Sequence, residues 1–172
     1  KTAQVAAIDG GQIGVFSSDQ LQALSTQQAA ALSVNAVTAL STAQLGVLTT
    51  DDVAALGTLQ IASLAVSQLG GLNTNQVQAL TSAQLGALTV DQFFAFSTSQ
   101  ISALRTTQIG YLSTTQVAAL STPQVQALST DQIASIKLSQ VTALTIDQVA
   151  VLGSDQLRAL TTTQIQALST NQ

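Results

Sequence analysis

The stretch STTQVAAL (113–120) and the two that follow it, STPQVQAL (121–128) and STDQIASI (129–136), are three copies of one eight-residue pattern. The pattern keeps the same phase through all 172 residues, which comprise 21 complete octads and four further residues. Position 4 of the octad is Gln in 20 of its 22 occurrences, and position 8 is always Leu, Ile or Phe. A fixed period of this kind is typical of proteins in which similar units stack on one another.

Each octad predicts one short helix that begins near its own first residue. Ser or Thr at position 1, with Gln three residues later, is the capping-box pattern, in which Ser113 and Gln116 bond each other's backbone amides. Positions 1, 4, 5 and 8 share one helical face, so the apolar residues at positions 5 and 8 form the core. Pro123 lies at position 3, where the first turn of a helix tolerates it. Asp recurs at the same position, where the helix dipole favours it.

We therefore predict an all-α fold, a solenoid of very short capped helices with one helix per octad. Residues 1–172 form a single uninterrupted octad-repeat solenoid of 21 full repeats plus four residues, with no separate capping domain. One continuous helix is excluded, because its apolar stripe would rotate by about 80° per octad. A β-solenoid remains the alternative, because β-branched residues are frequent at position 5. The pattern does not indicate how many octads complete one coil.

The Gln at position 4 is the candidate functional side chain. It recurs at a regular height beside the core, where its amide can cap its own helix or bridge to a neighbouring coil. We predict a structural ladder of these side chains, comprising Gln44, Gln60, Gln76, Gln92, Gln108, Gln124, Gln140 and Gln156.

The composition excludes several classes of function. Charged residues make up 7% of the chain, and His, Cys, Met and Trp are absent. Cys/His metal sites and Ser-His-Asp or Cys-His triads are therefore impossible. Four basic residues supply no electrostatic footprint for nucleic acid, and no apolar run is long enough to span a bilayer. We expect no enzyme activity, no cofactor, no metal, no nucleic-acid partner and no membrane span.

Asp51 and Asp52 are the only adjacent acidic residues. Calcium requires six to eight oxygen ligands, and no acidic cluster supplies them. We therefore expect this pair to be a solvated helix start rather than a calcium site.

The octad Leu-Ser-Thr-x-Gln-Val/Ile-x-Ala-Leu resembles the short tandem repeats of large, low-complexity, secreted or surface-exposed bacterial proteins. These proteins are described as adhesin-like or biofilm-matrix proteins. The resemblance covers the whole chain and carries no catalytic residues. It implies an extracellular or cell-surface location and a structural role.

The function expected from the sequence is that of a non-enzymatic extracellular fibre, filament, stalk or matrix component that associates with itself. The last four residues begin an octad without completing it, which favours either a continuation of the array or a second copy as partner. The alternative is a binding module whose Ser/Thr surface adheres to glycan, another cell or ice. Candidate contacts between chains are Phe94, at the outward position 6, Tyr111, which replaces the usual Ala at position 7, and the incomplete octad with Ser169 and Gln172.

Overall fold

The computed structural model describes residues 1–168. Within this range it contains 21 short helices, one for each complete octad, and no strands. The predicted all-α solenoid is confirmed, and the β-solenoid alternative is wrong. None of these helices is long and apolar enough to cross a bilayer.

The chain divides into two compact units, residues 1–88 and residues 89–172. The first unit contains α1 (Thr2–Ala6), α2 (Gly10–Gly14), α3 (Ser18–Gln22), α4 (Thr26–Ala31), α5 (Val34–Ala39), α6 (Thr42–Val47), α7 (Thr50–Ala55), α8 (Thr58–Ala62), α9 (Val66–Gly70), α10 (Thr74–Ala79) and α11 (Ser82–Ala87). The second contains α12 (Val90–Phe94), α13 (Thr98–Ala103), α14 (Thr106–Tyr111), α15 (Thr114–Ala118), α16 (Thr122–Gln126), α17 (Thr130–Ala134), α18 (Leu138–Val141), α19 (Ile146–Ala150), α20 (Ser154–Ala159) and α21 (Thr162–Ala167).

The capping box starts the helices at the predicted phase. At α15 the backbone amide of Gln116 donates to the Ser113 hydroxyl over 3.1 Å, and the Ser113 amide donates to the Gln116 side chain over 2.9 Å. Six helices begin instead at Lys, Gly, Ala or Arg and lack the cap from the first side chain, but the Gln half of the box is present in all six. The Gln side chain is therefore the more constant part of the cap.

The corners between helices are made by extended residues and not by glycine. Leu112, at the end of α14, has φ −60° and ψ 144°, and the next residue, Ser113, has φ −69° and ψ 158°. No residue between 1 and 168 has a positive φ. Any L-residue adopts these angles, so the corner needs no glycine at a fixed position.

Three octads complete one coil. In the first unit α1 packs on α4, α2 on α5 and α4 on α7, so each helix lies against the third helix further along. The second unit repeats this arrangement, with α12 on α15, α15 on α18 and α18 on α21. Helices of four to six residues are too short to be stable alone, so coil-on-coil packing stabilises them.

The core of each unit is filled by positions 5 and 8, as the pattern predicts. Val77 and Leu80 are 0% and 2% exposed, and Ile133 and Ile136 are 1% and 4% exposed. In the first coil, the position 5 residues are buried while Ile8 and Phe16, at position 8, are only half-buried. Position 5 therefore packs toward the later coil and position 8 toward the earlier one, which gives the stack a direction.

Candidate functional site

Each position 4 glutamine uses both ends of its side-chain amide. The Gln76 Oε1 accepts a hydrogen bond from the Asn73 amide over 2.9 Å, which closes the cap of α10. The Gln76 Nε2 donates over 2.8 Å to each of two carbonyl oxygens, those of Leu45 and Leu48. Both carbonyls belong to the octad that lies four octads earlier in the sequence. The end of that octad forms the corner next to Gln76 in the preceding coil. One side chain thus joins a helix start to a helix end in another coil.

We call this arrangement a rung: a Gln whose Oε1 accepts from its own helix start and whose Nε2 donates to carbonyls of positions 5, 6 or 8 four octads earlier. Gln44 donates to the carbonyls of Ile13, Gly14 and Phe16 over 3.0 to 3.2 Å. Other members of the predicted ladder donate in the same way, namely Gln60, Gln124, Gln140 and Gln156.

The two remaining members of the predicted ladder, Gln92 and Gln108, cap their own helices. Gln92 accepts from the Thr89 amide over 2.9 Å, and Gln108 accepts from the Arg105 amide over 2.6 Å. Both side chains are buried.

The ladder is denser than the prediction, which named every second octad. Rungs also form at Gln68, Gln84, Gln132, Gln148 and Gln164. The same sequence pattern identifies these rungs as well, namely a Gln at position 4 of the octad. The acceptors were missed, because backbone carbonyls carry no sequence signal and the number of octads per coil was not known.

The rungs solve a hydrogen-bonding problem that short helices create. The last four carbonyls of any α-helix have no i+4 partner within it. Here the position 5 carbonyl, such as that of Leu45, accepts from the position 8 amide over 3.2 Å, whereas the position 8 carbonyl at the corner, such as that of Leu48, accepts from no backbone amide among residues 1–168. Unpaired polar groups that are buried cost about 1–3 kcal/mol each. The Gln Nε2 supplies a donor at this place, and no buried side-chain polar atom among residues 1–168 lacks a partner. Each rung thus pairs carbonyls of one coil with a donor from the next.

Two octads lack the Gln. Ala36 is fully buried, and its octad keeps only the Ser33 half of the capping box, a 3.1 Å bond to the Ala36 amide. Asp52 is 1% exposed, and its Oδ2 accepts from the amide and the hydroxyl of Thr49 over 3.2 and 2.6 Å. The expectation of a solvated acidic pair is wrong for Asp52, because the preceding coil covers position 4; Asp51 is exposed as expected.

The outward-facing aromatic residues lie on the surface of the second unit. Phe94 is 55% exposed and Tyr111 is 66% exposed, while Phe93 and Phe96 are buried and contact each other edge to face. The Lys137 ammonium lies 4.9 Å from the centroid of the Tyr111 ring, within the range of a cation–π contact. Their role in contacts between chains remains a prediction. Ser169 and Gln172 lie outside the described residues.

A comparison with protein families finds the same repeat. The ALTTAQ repeat model matches residues 26–58, 37–66, 53–90, 61–98, 82–114, 91–122, 111–138 and 149–172, which together cover well over half of the chain. The chain belongs to the ALTTAQ repeat family. No curated protein matches it.

The ALTTAQ motif corresponds to the corner of the solenoid. In this chain it reads ALSTAQ (39–44), ALTSAQ (79–84) and ALTTTQ (159–164). Each stretch runs from position 7 of one octad, through the extended corner, to the rung Gln of the next. The most constant part of the repeat is thus the part that turns the chain and bonds it to the preceding coil.

Proposed function

We propose that this ALTTAQ repeat chain is a non-enzymatic structural element, a stalk or filament segment that associates with further copies of itself by stacking coil on coil. One observation carries the proposal: a coil of octads is complementary to itself along the stacking direction. Its earlier side presents Gln Nε2 donors and position 8 side chains. Its later side presents carbonyl acceptors and position 5 side chains.

The first coil of the first unit and the last described coil of the second unit each expose one of these surfaces. Gln4, Gln12 and Gln20 are exposed, and their Nε2 groups donate to no carbonyl among residues 1–168. In the second unit Leu157 and Ile165, both at position 5, are 38% and 43% exposed, whereas inner position 5 residues are 0–1% exposed. When the earlier side of one coil meets the later side of another, the Gln donors meet carbonyl acceptors and the two apolar surfaces meet each other.

The rest of the surface opposes association only weakly. The chain carries four basic and eight acidic side chains in 172 residues, for a net charge of −4. Charge repulsion is a main force that keeps soluble proteins apart, and here it is small. We place the protein outside the bacterial cell or at its surface, and this part of the proposal rests on the resemblance of the octad to repeats of such proteins.

The glycan- or ice-binding alternative depends on the side chains at position 2 of each column. A lattice-matching surface needs one residue type repeated along a column of stacked helices. In the column formed by α12, α15 and α18, position 2 is Val90, then Thr114, then Leu138. Hydroxyl and aliphatic side chains mix in this column. The column of α1, α4, α7 and α10 in the first unit, by contrast, carries Thr at position 2 throughout, and all four side chains are exposed, namely Thr2, Thr26, Thr50 and Thr74. A continuous hydroxyl column therefore supports the alternative in the first unit.

Sedimentation velocity over a hundredfold range of concentration tests the proposal, with negative-stain microscopy of the same samples. We expect the sedimentation coefficient to rise with concentration and rods of a single diameter to lengthen. The double variant Leu157→Lys, Ile165→Lys places charges on the exposed position 5 surface and is expected to remain monomeric.

The matched control is Leu59→Lys, which charges a side chain that is 68% exposed and lies at position 3, outside the stacking surfaces. We expect it to associate as the unmodified chain does. A chain that stays monomeric at every concentration contradicts the proposal, and so does equal loss of association in both charge variants.

A further inference from the structure

A depression on the surface of the second unit lies where two residues that depart from the octad pattern meet. Tyr111 is the only tyrosine of the chain and stands at position 7, where Ala is usual, and Lys137 stands at position 1, where Ser or Thr is usual. The packing of α14 on α17 and the Gln140 rung bring their octads together. The depression has a volume of about 340 Å³ and is lined by Thr106, Thr107, Gly110, Tyr111, Ser135 and Lys137.

This depression has an aromatic wall, a cationic edge and an open floor. The Tyr111 ring is 66% exposed, and the Lys137 ammonium lies 4.9 Å from its centroid. Gly110 is the one buried residue of the lining and forms the floor. A Cβ at Gly110 would lie 3.4 Å from the Ser135 carbonyl oxygen, so the absence of a side chain here keeps the depression open. Its volume lies in the range of small-molecule pockets, roughly 300–1,000 Å³.

The edge of the depression is positive in a chain whose net charge is −4. Lys137 is exposed and forms no ion pair with residues 1–168, and no acidic side chain of this part of the chain lines the depression. The ammonium is therefore available to an anion from outside, and a bond between the two would be charge-assisted and stronger than one between neutral groups.

Hydroxyl groups supply the remaining polar atoms of the lining. Thr106 and Thr107 are exposed, and each of their hydroxyls can both donate and accept. The Ser135 hydroxyl donates to the Gln132 carbonyl over 2.7 Å and keeps its lone pairs as acceptors. Groups that donate and accept in this way match the alcohol groups of a sugar.

The equivalent corner of the first unit lacks this combination. Eight octads earlier, Val47 takes the place of Tyr111, and Asn73 takes that of Lys137. The Asn73 Nδ2 donates over 3.5 Å to the carbonyl of Gly46, so this side chain bonds to the corner itself. The aromatic ring and the cation are thus features of one corner and not requirements of the repeat.

We propose that the depression binds an acidic sugar, a uronic acid residue of a polysaccharide. The apolar C–H face of the sugar ring packs on the exposed part of the Tyr111 ring, its carboxylate pairs with Lys137, and its hydroxyls bond to Thr106 and Thr107. A neutral sugar leaves the ammonium without an anion, and a carboxylate on a flexible acidic peptide leaves the ring unused. The site goes beyond the structural role proposed above and does not depend on self-association.

NMR titration of the ¹⁵N-labelled full chain tests the proposal, at a concentration where sedimentation shows monomer. The probe is tri-galacturonic acid, and the matched neutral probe is its methyl ester, which keeps the sugar rings but lacks the charge. We expect the acid to shift the Gly110 amide resonance with a dissociation constant of about 10⁻³ M, as for one sugar ring on an open surface. The ester should bind at least about fivefold more weakly.

Two variants that restore the octad pattern remove the two anchors of the site. Tyr111→Ala and Lys137→Ser introduce the residues usual at positions 7 and 1, so both are expected to fold. Each should weaken binding of tri-galacturonic acid at least about fivefold. The matched controls are Phe94→Ala, which removes an exposed ring, and Arg158→Gln, which removes an exposed cation, both outside the depression. Both controls should bind as the parent does.

Four results each overturn the proposal. They are no shift at about ten times the expected dissociation constant, equal binding of the acid and its methyl ester, unchanged binding in either site variant, and an equal loss of binding in the site variants and the controls. None of these results bears on self-association, which the sedimentation experiment decides separately.

Discussion

Gln76 and Asp52 occupy the same position of the octad in the same unit, yet only one of them joins two coils. Both cap their own helix: each accepts a hydrogen bond from the amide at position 1. Only Gln76 also donates to the preceding coil, to Leu45 and Leu48. The difference shows that a position 4 side chain needs only an acceptor to cap its own helix, whereas a hydrogen bond to the preceding coil also needs a donor. The side-chain amides of Gln and Asn are the groups that carry both on one rigid fork, and Gln has the longer reach.

Ala36 extends the comparison, because it supplies neither group. Its helix, α5, still forms, with Ser33 capping the Ala36 amide. A single missing rung is therefore tolerated, since positions 5 and 8 remain buried at Val37 and Leu40. The rungs add to the packing of the apolar core and do not replace it.

The largest expected effect comes from converting the Gln76 rung into a carboxylate. Gln76→Glu keeps the length of the side chain but sets a negative charge against two carbonyl oxygens in a buried place. We expect the free energy of unfolding at pH 7 to fall by about 3–5 kcal/mol, measured by urea titration. The folded state disfavours the charged form, so the pKa of the new carboxyl should be raised above its unfolded value. The loss should therefore be complete above that pKa and shrink as the pH falls through it.

The matched control for this variant is Gln126→Glu, at position 6 on the exposed face of α16. We expect its free energy of unfolding to change by less than about 0.5 kcal/mol, with no recovery at acid pH. Similar losses in the two variants would mean that added charge, and not the rung, controls stability.

A smaller loss is expected when the other half of the cap is removed. Ser129→Ala deletes the hydroxyl that accepts from the Gln132 amide over 3.1 Å and should lower the free energy of unfolding by about 1 kcal/mol. Thr130→Ala, one residue later and exposed, removes a hydroxyl that caps nothing and should cost less than about 0.5 kcal/mol. Six octads naturally lack any cap from the position 1 side chain, so a cost for Ser129→Ala close to that of Gln76→Glu would contradict the ranking of the two halves.

The smallest expected effect is an increase in stability, in the variant Ala36→Gln. Ala36→Gln should rebuild a rung, with Oε1 accepting from the Ser33 amide and Nε2 donating to the carbonyl of Ile8, 28 residues earlier as in the other rungs. We expect the free energy of unfolding to rise by about 1 kcal/mol, again by urea titration. A loss of stability would show that the neighbouring side chains have closed over the Ala36 methyl group and leave no room for the amide.

The helix starts and the core were predictable from the sequence because both depend on local spacing. The Ser113–Gln116 capping box lies within four residues, and Val117 and Leu120 fall on the same face as that box. The corner was also implicit, since Leu112 and Ser113 need only ordinary extended angles. All of these features repeat with the period of the octad, so one copy predicts the others.

The coil of three octads was not predictable, because nothing in the sequence repeats at that longer period. The partner of each Gln was therefore unknown, and so was the use of both ends of its amide. Asp52 shows the same limit: its local pattern is that of an exposed helix start, and only the coil beneath it makes it buried. The octad pattern determines which face of its helix a side chain occupies. Whether that face is buried depends on residues about 30 positions away in the sequence.

The uniform separation between each rung and its acceptors has a genetic consequence. If recombination duplicates or deletes one whole octad, every later Gln faces a different helix, but that helix offers the same carbonyls at the same corner. The array then keeps its bonding while its length changes by one unit. Because the corners contain no residue with special backbone requirements, the backbone sets no limit on which octad follows another. Side-chain packing does set one, since a Cβ at Gly71 would lie 2.9 Å from the Thr42 Cβ of another octad. A change in the number of whole octads is thus the change that this architecture tolerates best. The insertion or deletion of a single residue is the change that it tolerates least, because it moves every later side chain to a different octad position.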